Sequence, residues 1–326
     1  MARLLGAGLL LLAARPARAQ QPASPAPRDT SFTVHSALVK ARKQHPSITV
    51  ARPAVPQHVR TAANVTYCTL PGGRALQLDV FYPKAKRRQR LPAVLIVHGG
   101  GWRSGDRAQH HPLAQQLAAR GYVAVTAEYR LSTAAPYPAA VQDLKTALRW
   151  LRAQTERFPI DTTKVAVWGF SAGGQLAALL GTTNGNPLFE AGECYRSRSS
   201  AVQAIVDADG TLAFIHPESG EGDDRKGPSA ATLWFGASKT ERPELWQQAA
   251  PLSHVSARTP PILFINSGVA RMHAGRDDMR RQLDALGIYS EVQSFPEAPH
   301  PFPLFHPWFE PTLRYTMAFL DRVLKQ

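Results

Sequence analysis

The feature that most constrains this chain is Gly169-Phe170-Ser171-Ala172-Gly173, set between an apolar run, Val165–Trp168, and a helical pattern, Gln175–Leu180. A chain that leaves a strand and enters a helix within so few residues turns sharply. A side chain on either flank of the central residue would clash, which is why glycine stands at both ends. The motif therefore predicts a strand, a tight turn and a helix in immediate succession, with the Ser171 hydroxyl pushed out at the edge of a sheet.

The same strand–helix alternation runs through most of the sequence. Asn64–Leu70 and Leu76–Tyr82 alternate like strands and meet at Pro71-Gly72-Gly73, which predicts a hairpin. Ala93–Val97, Val123–Ala127, Val202–Ala208, Ile262–Asn266 and Tyr289–Phe295 read as further strands. Several of these are continuous apolar runs, as strands covered on both faces are. Pro112–Arg120, Ala139–Gln154, Arg276–Leu286 and Pro311–Leu324 read as helices between and after them. Phe32–Lys43 has the pattern of a short amphipathic helix, and 46–63 is proline-punctuated surface wrap. The expected architecture is α/β: a mostly parallel sheet with helices on both faces, an antiparallel N-terminal hairpin, and right-handed crossovers. Residues 210–258 break the rhythm and are expected as a short cap-like insertion over the sheet's C-terminal edge, where open α/β sheets bind ligands.

The chain has 326 residues, of which 44% are apolar and 19% charged, so it can bury a large core, and a disordered or fibrous protein is excluded. Residues 1–19 have the form of a secretory signal peptide: Arg3, the apolar stretch Leu4–Ala14, and Ala17-Arg18-Ala19 as the cleavage site. The stretch is too short to span a bilayer, so no stable membrane insertion is expected after cleavage. Residues 20–63 are then a Pro/Ala/Ser-rich linker and N-terminal wrap, and 64–326 the main domain. The formal net charge of +14 falls to +11 once the leader's three arginines are removed. Such a charge admits DNA, anionic membrane or acidic polysaccharide as partners. The Lys and Arg residues are scattered and form no nucleic-acid module, so nucleic acid is not expected. Cys68 and Cys194 are the two cysteines. Export permits a bond between them, but two buried thiols are the reading preferred. No His/Cys cluster suggests a metal site, and no cofactor is expected.

G-x-S-x-G in this context is a nucleophile elbow, with Ser171 as the nucleophile. The second motif is His98-Gly99-Gly100-Gly101-Trp102, directly after the strand Ala93–Val97. Acyl transfer needs two or three N–H donors aimed at the oxyanion of the tetrahedral intermediate, and bare glycine backbone can approach that atom. The expected donors are the amides of Gly100, Gly101 and Ala172. The base is expected just beyond the last strand, which selects His300 from eleven histidines, with His306 its nearest rival. His273 and His216 are candidates for substrate contact only.

With these motifs the chain resembles the α/β-hydrolase fold and, within it, HGGG-type carboxylesterases. Glu128-Tyr129-Arg130-Leu131 followed by Tyr137-Pro138-Ala139-Ala140-Val141-Gln142-Asp143 is similar to hormone-sensitive-lipase-like esterases. Pro299-His300-Pro301-Phe302 through His306-Pro307-Trp308-Phe309 resembles secreted bacterial polysaccharide esterases of the acetylxylan, feruloyl and pectin-acetyl types. The resemblance implies hydrolysis of acetyl or hydroxycinnamoyl esters, on a small-molecule or polysaccharide substrate. It also implies an acid after the strand Ile262–Asn266, yet Ser267–His273 holds no carboxylate. Two acids remain open: Asp209, at the end of the strand Val202–Ala208, and Asp277, about one helical turn beyond the usual place. Trp102, Trp234, Phe235 and Trp308 are candidates to stack on sugar or aryl rings. Two other readings compete. A serine exopeptidase or arylformamidase would draw on the acidic cluster Glu218, Glu221, Asp223 and Asp224. A catalytically silent binding protein would have no need of the elbow, the glycine run and His300 together.

Overall fold

The computed structural model of the chain describes residues 29–54, 56–84 and 89–325. The expected leader and residues 20–28 of the linker lie outside the described residues. In chain order, α1 (Val34–Ala41) and the short β1 (Thr49–Val50) lead into a hairpin of β2 (Val59–Thr69) and β3 (Ala75–Pro83). Then come β4 (Leu91–Val97), α2 (His111–Ala119), β5 (Val123–Ala127), α3 (Ala139–Ala153), β6 (Ile160–Phe170), α4 (Ala172–Thr182) and β7 (Ala204–Ala208). Two short helices follow, α5 (Ala230–Phe235) and α6 (Pro243–Gln248). The chain closes with β8 (Ile262–Ser267), α7 (Arg276–Ala285), β9 (Ser290–Phe295), β10 (Phe305–His306) and α8 (Phe309–Leu324).

Eight strands form one sheet in the order β2-β3-β5-β4-β6-β7-β8-β9. The β2–β3 and β3–β5 pairs are antiparallel, and the other pairs are parallel. This is the α/β-hydrolase arrangement that the motifs imply. The central strands are apolar throughout because helices cover both faces. Along β4, Ala93, Leu95 and Val97 face one core cluster while Val94 and Ile96 face the other, the period-2 alternation of a strand. The first cluster takes Leu144 and Leu148 of α3 and Leu176 and Leu179 of α4. The second takes Leu113 and Leu117 of α2 and Phe319 and Leu320 of α8. Truncating one such buried leucine to alanine would cost about 2–5 kcal/mol.

Cys68 and Cys194 are joined in a disulfide, which corrects the expectation of two buried thiols. The loop after α4 folds back against β2 and brings the two Cα atoms to 5.9 Å, inside disulfide reach. With a sequence separation of 126 between the two cysteines, only the tertiary fold reveals the approach. The two-stranded β1–β10 pair, Thr49 with His306 and Val50 with Phe305, was also not anticipated. It ties the N-terminal wrap to the chain just before α8. No helix among the described residues is long and apolar enough to cross a membrane.

Candidate active site

The site is built at the C-terminal ends of β4, β6, β7 and β8. β6 turns into α4 at Ser171, whose φ of +58° and ψ of −123° are strained for a residue with a side chain. Close packing enforces the turn. A Cβ on Gly169 would sit 1.9 Å from the Gly173 carbonyl oxygen, and one on Gly173 would sit 2.2 Å from the Val97 carbonyl oxygen. The Ser171 amide donates to the Ala208 carbonyl at 2.8 Å, fixing the elbow to the end of β7.

His300 stands on the loop after β9, its ring 4.9 Å from that of Phe170. Its Nδ1–H donates to Asp209 Oδ2 at 2.9 Å. An ionised carboxylate can only accept, so this bond fixes the tautomer and leaves Nε2 to accept from the Ser171 hydroxyl, 2.8 Å away. Asp209 is fully buried and adopts a left-handed φ of +52°, a conformation Asp tolerates better than most residues. Both its oxygens are committed. Oδ1 accepts from the Ser267 amide at 2.8 Å, and Oδ2 accepts from the Ser267 hydroxyl at 2.5 Å as well as from His300.

Of the two open acids, the structure thus brings Asp209 against His300. Asp277 lies on the first turn of α7, solvent-exposed, where Arg276 Nε donates to it at 2.8 Å and holds its carboxyl below the usual range. The neighbouring Asp207 is buried as well. Burial, and then the charge of Asp209, push its carboxyl well above the usual range. Its Oδ1 accepts from the Gly210 amide at 2.9 Å and shapes the turn that follows Asp209. His306, the rival base, pairs with Glu310 at the start of α8, and His216, a candidate for substrate contact, pairs with Asp278. Neither pairs with Ser171 or Asp209.

The glycine run lies across a cleft of about 400 Å³ from the elbow. Gly100, Gly101, Ser171, Ala172 and His300 all line it. Gly100 has a φ of +124°, and a Cβ there would meet the Ser104 carbonyl at 2.3 Å, so this position must be glycine. The Gly100 carbonyl accepts from the Ser104 amide (3.0 Å) and hydroxyl (2.8 Å). His98 stacks on Tyr129 at 4.4 Å, and the Tyr129 hydroxyl donates to the His98 carbonyl. Trp102 Nε1–H donates to Gln175 Oε1 at 2.9 Å, and Gln175 donates on to the Ala249 carbonyl, which ties the glycine run to α4.

The aromatic residues proposed as stacking platforms are spent elsewhere. Trp102 stacks on Trp234 at 4.8 Å, Phe235 packs on Trp246, and Trp102, Trp234 and Trp308 are each no more than 5% exposed. Trp102, Trp234, Phe235 and Trp246 share one core cluster, while Trp308 belongs to the other and packs on His45. The acidic cluster is also internally occupied: Asp223 pairs with Arg225, Asp224 accepts from Ser229 and Thr232, and Glu218 accepts from the Gly275 amide. Glu221 is the member that lines the cleft; burial pushes its carboxyl up, while Arg271, 4.0 Å away, pulls it back. Sequence reasoning missed Ser267, although a polar pair ending the apolar strand Ile262–Ile265 is a signal that the strand end has another task.

The BD-FAE family model matches residues 78–270, more than half of the chain, and takes in the glycine run, the elbow and Asp209. The chain belongs to the BD-FAE family. Esterase LipC of Mycobacterium tuberculosis is 32% identical over 197 residues, which is 58% of this chain and 47% of that protein. The probable carboxylic ester hydrolase LipM of the same organism is 28% identical over 246 residues, 71% of this chain and 54% of that one. This BD-FAE chain spans about half the length of the curated relatives it matches. Among solved structures, a truncated carbohydrate esterase from gut microbiota superposes with a TM-score of 0.66 at 24% identity, over 82% of this chain and 99% of that one. Thermogutta terrifontis esterase 2 phosphonylated by sarin superposes with a TM-score of 0.68 at 24% identity, over 83% and 96%. These likenesses establish the α/β-hydrolase fold for this BD-FAE member.

Proposed function

We propose that this chain is a serine carboxylesterase acting through an acyl-enzyme on Ser171. His300 is the base, Asp209 the acid that orients it, and the amides of Gly100, Gly101 and Ala172 are the oxyanion donors. The observation that carries this reading is the unbroken hydrogen-bonded line from Ser171 through His300 to Asp209, opening on the cleft that the glycine run lines. As Ser171 Oγ bonds to the ester carbonyl carbon, His300 Nε2 takes its proton. That proton passes to the departing alcohol as the ester C–O bond breaks. Water then attacks the acyl-enzyme, His300 takes a proton again, and Ser171 is restored as the acid leaves. The Asp209 charge favours the imidazolium that forms in both halves, and the scheme calls for no metal or organic cofactor.

The substrate is proposed to be an acetyl or hydroxycinnamoyl ester, carried on plant polysaccharide. The name of the carbohydrate esterase that shares the fold supports a carbohydrate ester, and those of the mycobacterial esterases support an ester of some kind. Export behind the leader at 1–19 is proposed with it, and the Cys68–Cys194 bond supports export, because disulfides persist in oxidising compartments. Hydrolysis of p-nitrophenyl acetate by the purified chain tests the activity. Turnover should fall by about a thousandfold or more in Ser171→Ala. Wild type no faster than Ser171→Ala would overturn the reading.

A further inference from the structure

The segment Asp29–Thr33 precedes every residue that the family match covers, yet it reaches the site. Asp29 accepts from Nε of Arg103 and bridges to Ser104, two residues that follow the glycine run directly. The Asp29 carboxyl also accepts from the Ser31 amide at 2.8 Å; bonds from Ser31 first, then from Arg103, hold it down at about 2. At the other end, Thr33 and Ser36 cap α1 reciprocally, at 3.0 and 2.9 Å. Between these two anchors stand Ser31 and Phe32, and both line the cleft that holds Ser171 and His300. Phe32 also borders a second cleft of about 400 Å³ and packs in part against the core cluster that holds α2 and α8. It is only partly buried, whereas Trp102, the other aromatic residue of the catalytic cleft, is 3% exposed and stacked on Trp234.

Resting on the esterase reading, we infer that Phe32 is a specificity-determining residue whose ring is the stacking face for an aromatic ring of the bound ester. An aromatic ring needs a flat apolar face with one side open. Phe32 offers that face, and the anchors at Asp29 and Thr33 hold it at the cleft without further ordering when substrate binds. The element that selects ring-bearing esters thus lies outside the part of the chain that the family match spans.

The test compares kcat/KM for methyl ferulate and for ethyl acetate in wild type, Phe32→Leu and Phe32→Tyr. Phe32→Leu keeps apolar packing and loses the ring; Phe32→Tyr keeps both. The ferulate-to-acetate ratio should fall about 5-fold in Phe32→Leu, through KM, and return to within 2-fold of wild type in Phe32→Tyr. Calorimetric titration of methyl ferulate into Ser171→Ala, with and without Phe32→Leu, reads binding without turnover and should show Kd rising by the same factor. An unchanged ratio and Kd in Phe32→Leu would overturn the inference, as would a Phe32→Tyr variant as impaired as Phe32→Leu. If wild type hydrolyses neither ester, the esterase reading falls, and the titration still decides the role of Phe32.

Discussion

At the residue scale, the site depends on two side chains held where backbone is costly. Ser171 and Asp209 both sit at positive φ, each at the end of a strand, and each is fixed by an amide bond to the neighbouring strand. Strain of this kind, roughly 1–3 kcal/mol per residue, persists only where the surroundings over-determine it. Here the Ala208 carbonyl takes the Ser171 amide and the Ile265 carbonyl takes the Asp209 amide. Asp209→Asn would keep the size of the side chain but place a donor amide where His300 needs an acceptor. Its kcat on p-nitrophenyl acetate should fall by roughly 100- to 10,000-fold, while Asp277→Asn stays within about 2-fold of wild type. Equal losses in the two variants would contradict the placement. The approach of His300 to Ser171 was legible from the sequence, because one residue is fixed by a local motif and the other by its distance beyond the last strand. Which carboxylate meets His300 was not. Asp209 and Asp277 differ in which strand end approaches the loop of His300, and that depends on the pairing of β7, β8 and β9 across more than ninety residues.

At the scale of elements, the parallel strands were legible because burial on both faces leaves an unbroken apolar run, as in Leu91–Val97. The hairpin and the long helices were legible by period and by their turn residues. Elements of a few residues were not. Helices α5 and α6 have six residues each and stand in a stretch rich in charge and glycine. Their hold is tertiary: Trp234, Phe235 and Trp246 pack on one another and on Phe214 and Trp102. Such packing leaves no periodic trace in the sequence. The two-residue strands β1 and β10 are likewise defined only by each other. The joint between β6 and α4 is the tightest in the fold. Gly173→Ala would drive a Cβ to 2.2 Å from the Val97 carbonyl, at the very strand that carries the glycine run. The expected result is loss of p-nitrophenyl acetate hydrolysis together with a lowered unfolding temperature. A fully active, fully stable Gly173→Ala chain would contradict the elbow geometry.

For the whole molecule, the sheet edge is stabilised from outside the sheet. The Cys68–Cys194 bond fastens β2, at one end of the strand order, to the loop that follows α4. Closing a loop across a sequence separation of 126 restricts the unfolded chain considerably, and on the chain-entropy account contributes about 5 kcal/mol. The double variant Cys68→Ser with Cys194→Ser should therefore unfold several degrees lower by calorimetry, and wild type with reductant should match it. An unchanged unfolding temperature in both would show that the bond constrains nothing. The N-terminal wrap acts on the other side of the molecule, through β1 against β10 and through Asp29 against Arg103. A sequence reading gives such a segment little weight, because its contacts lie far along the chain and its composition is that of a linker.

Activation of Ser171 by His300 and Asp209 for attack on an acyl carbon is read out by peptide mass spectrometry of the chain after exposure to paraoxon. A nucleophilic hydroxyl attacks the phosphorus, expels p-nitrophenolate and keeps the diethylphosphoryl group. Stoichiometric label is expected on the peptide containing Ser171 in wild type, and none in His300→Ala over the same time. Label on another residue, or an unlabelled wild type that retains its fold, would rule that activation out.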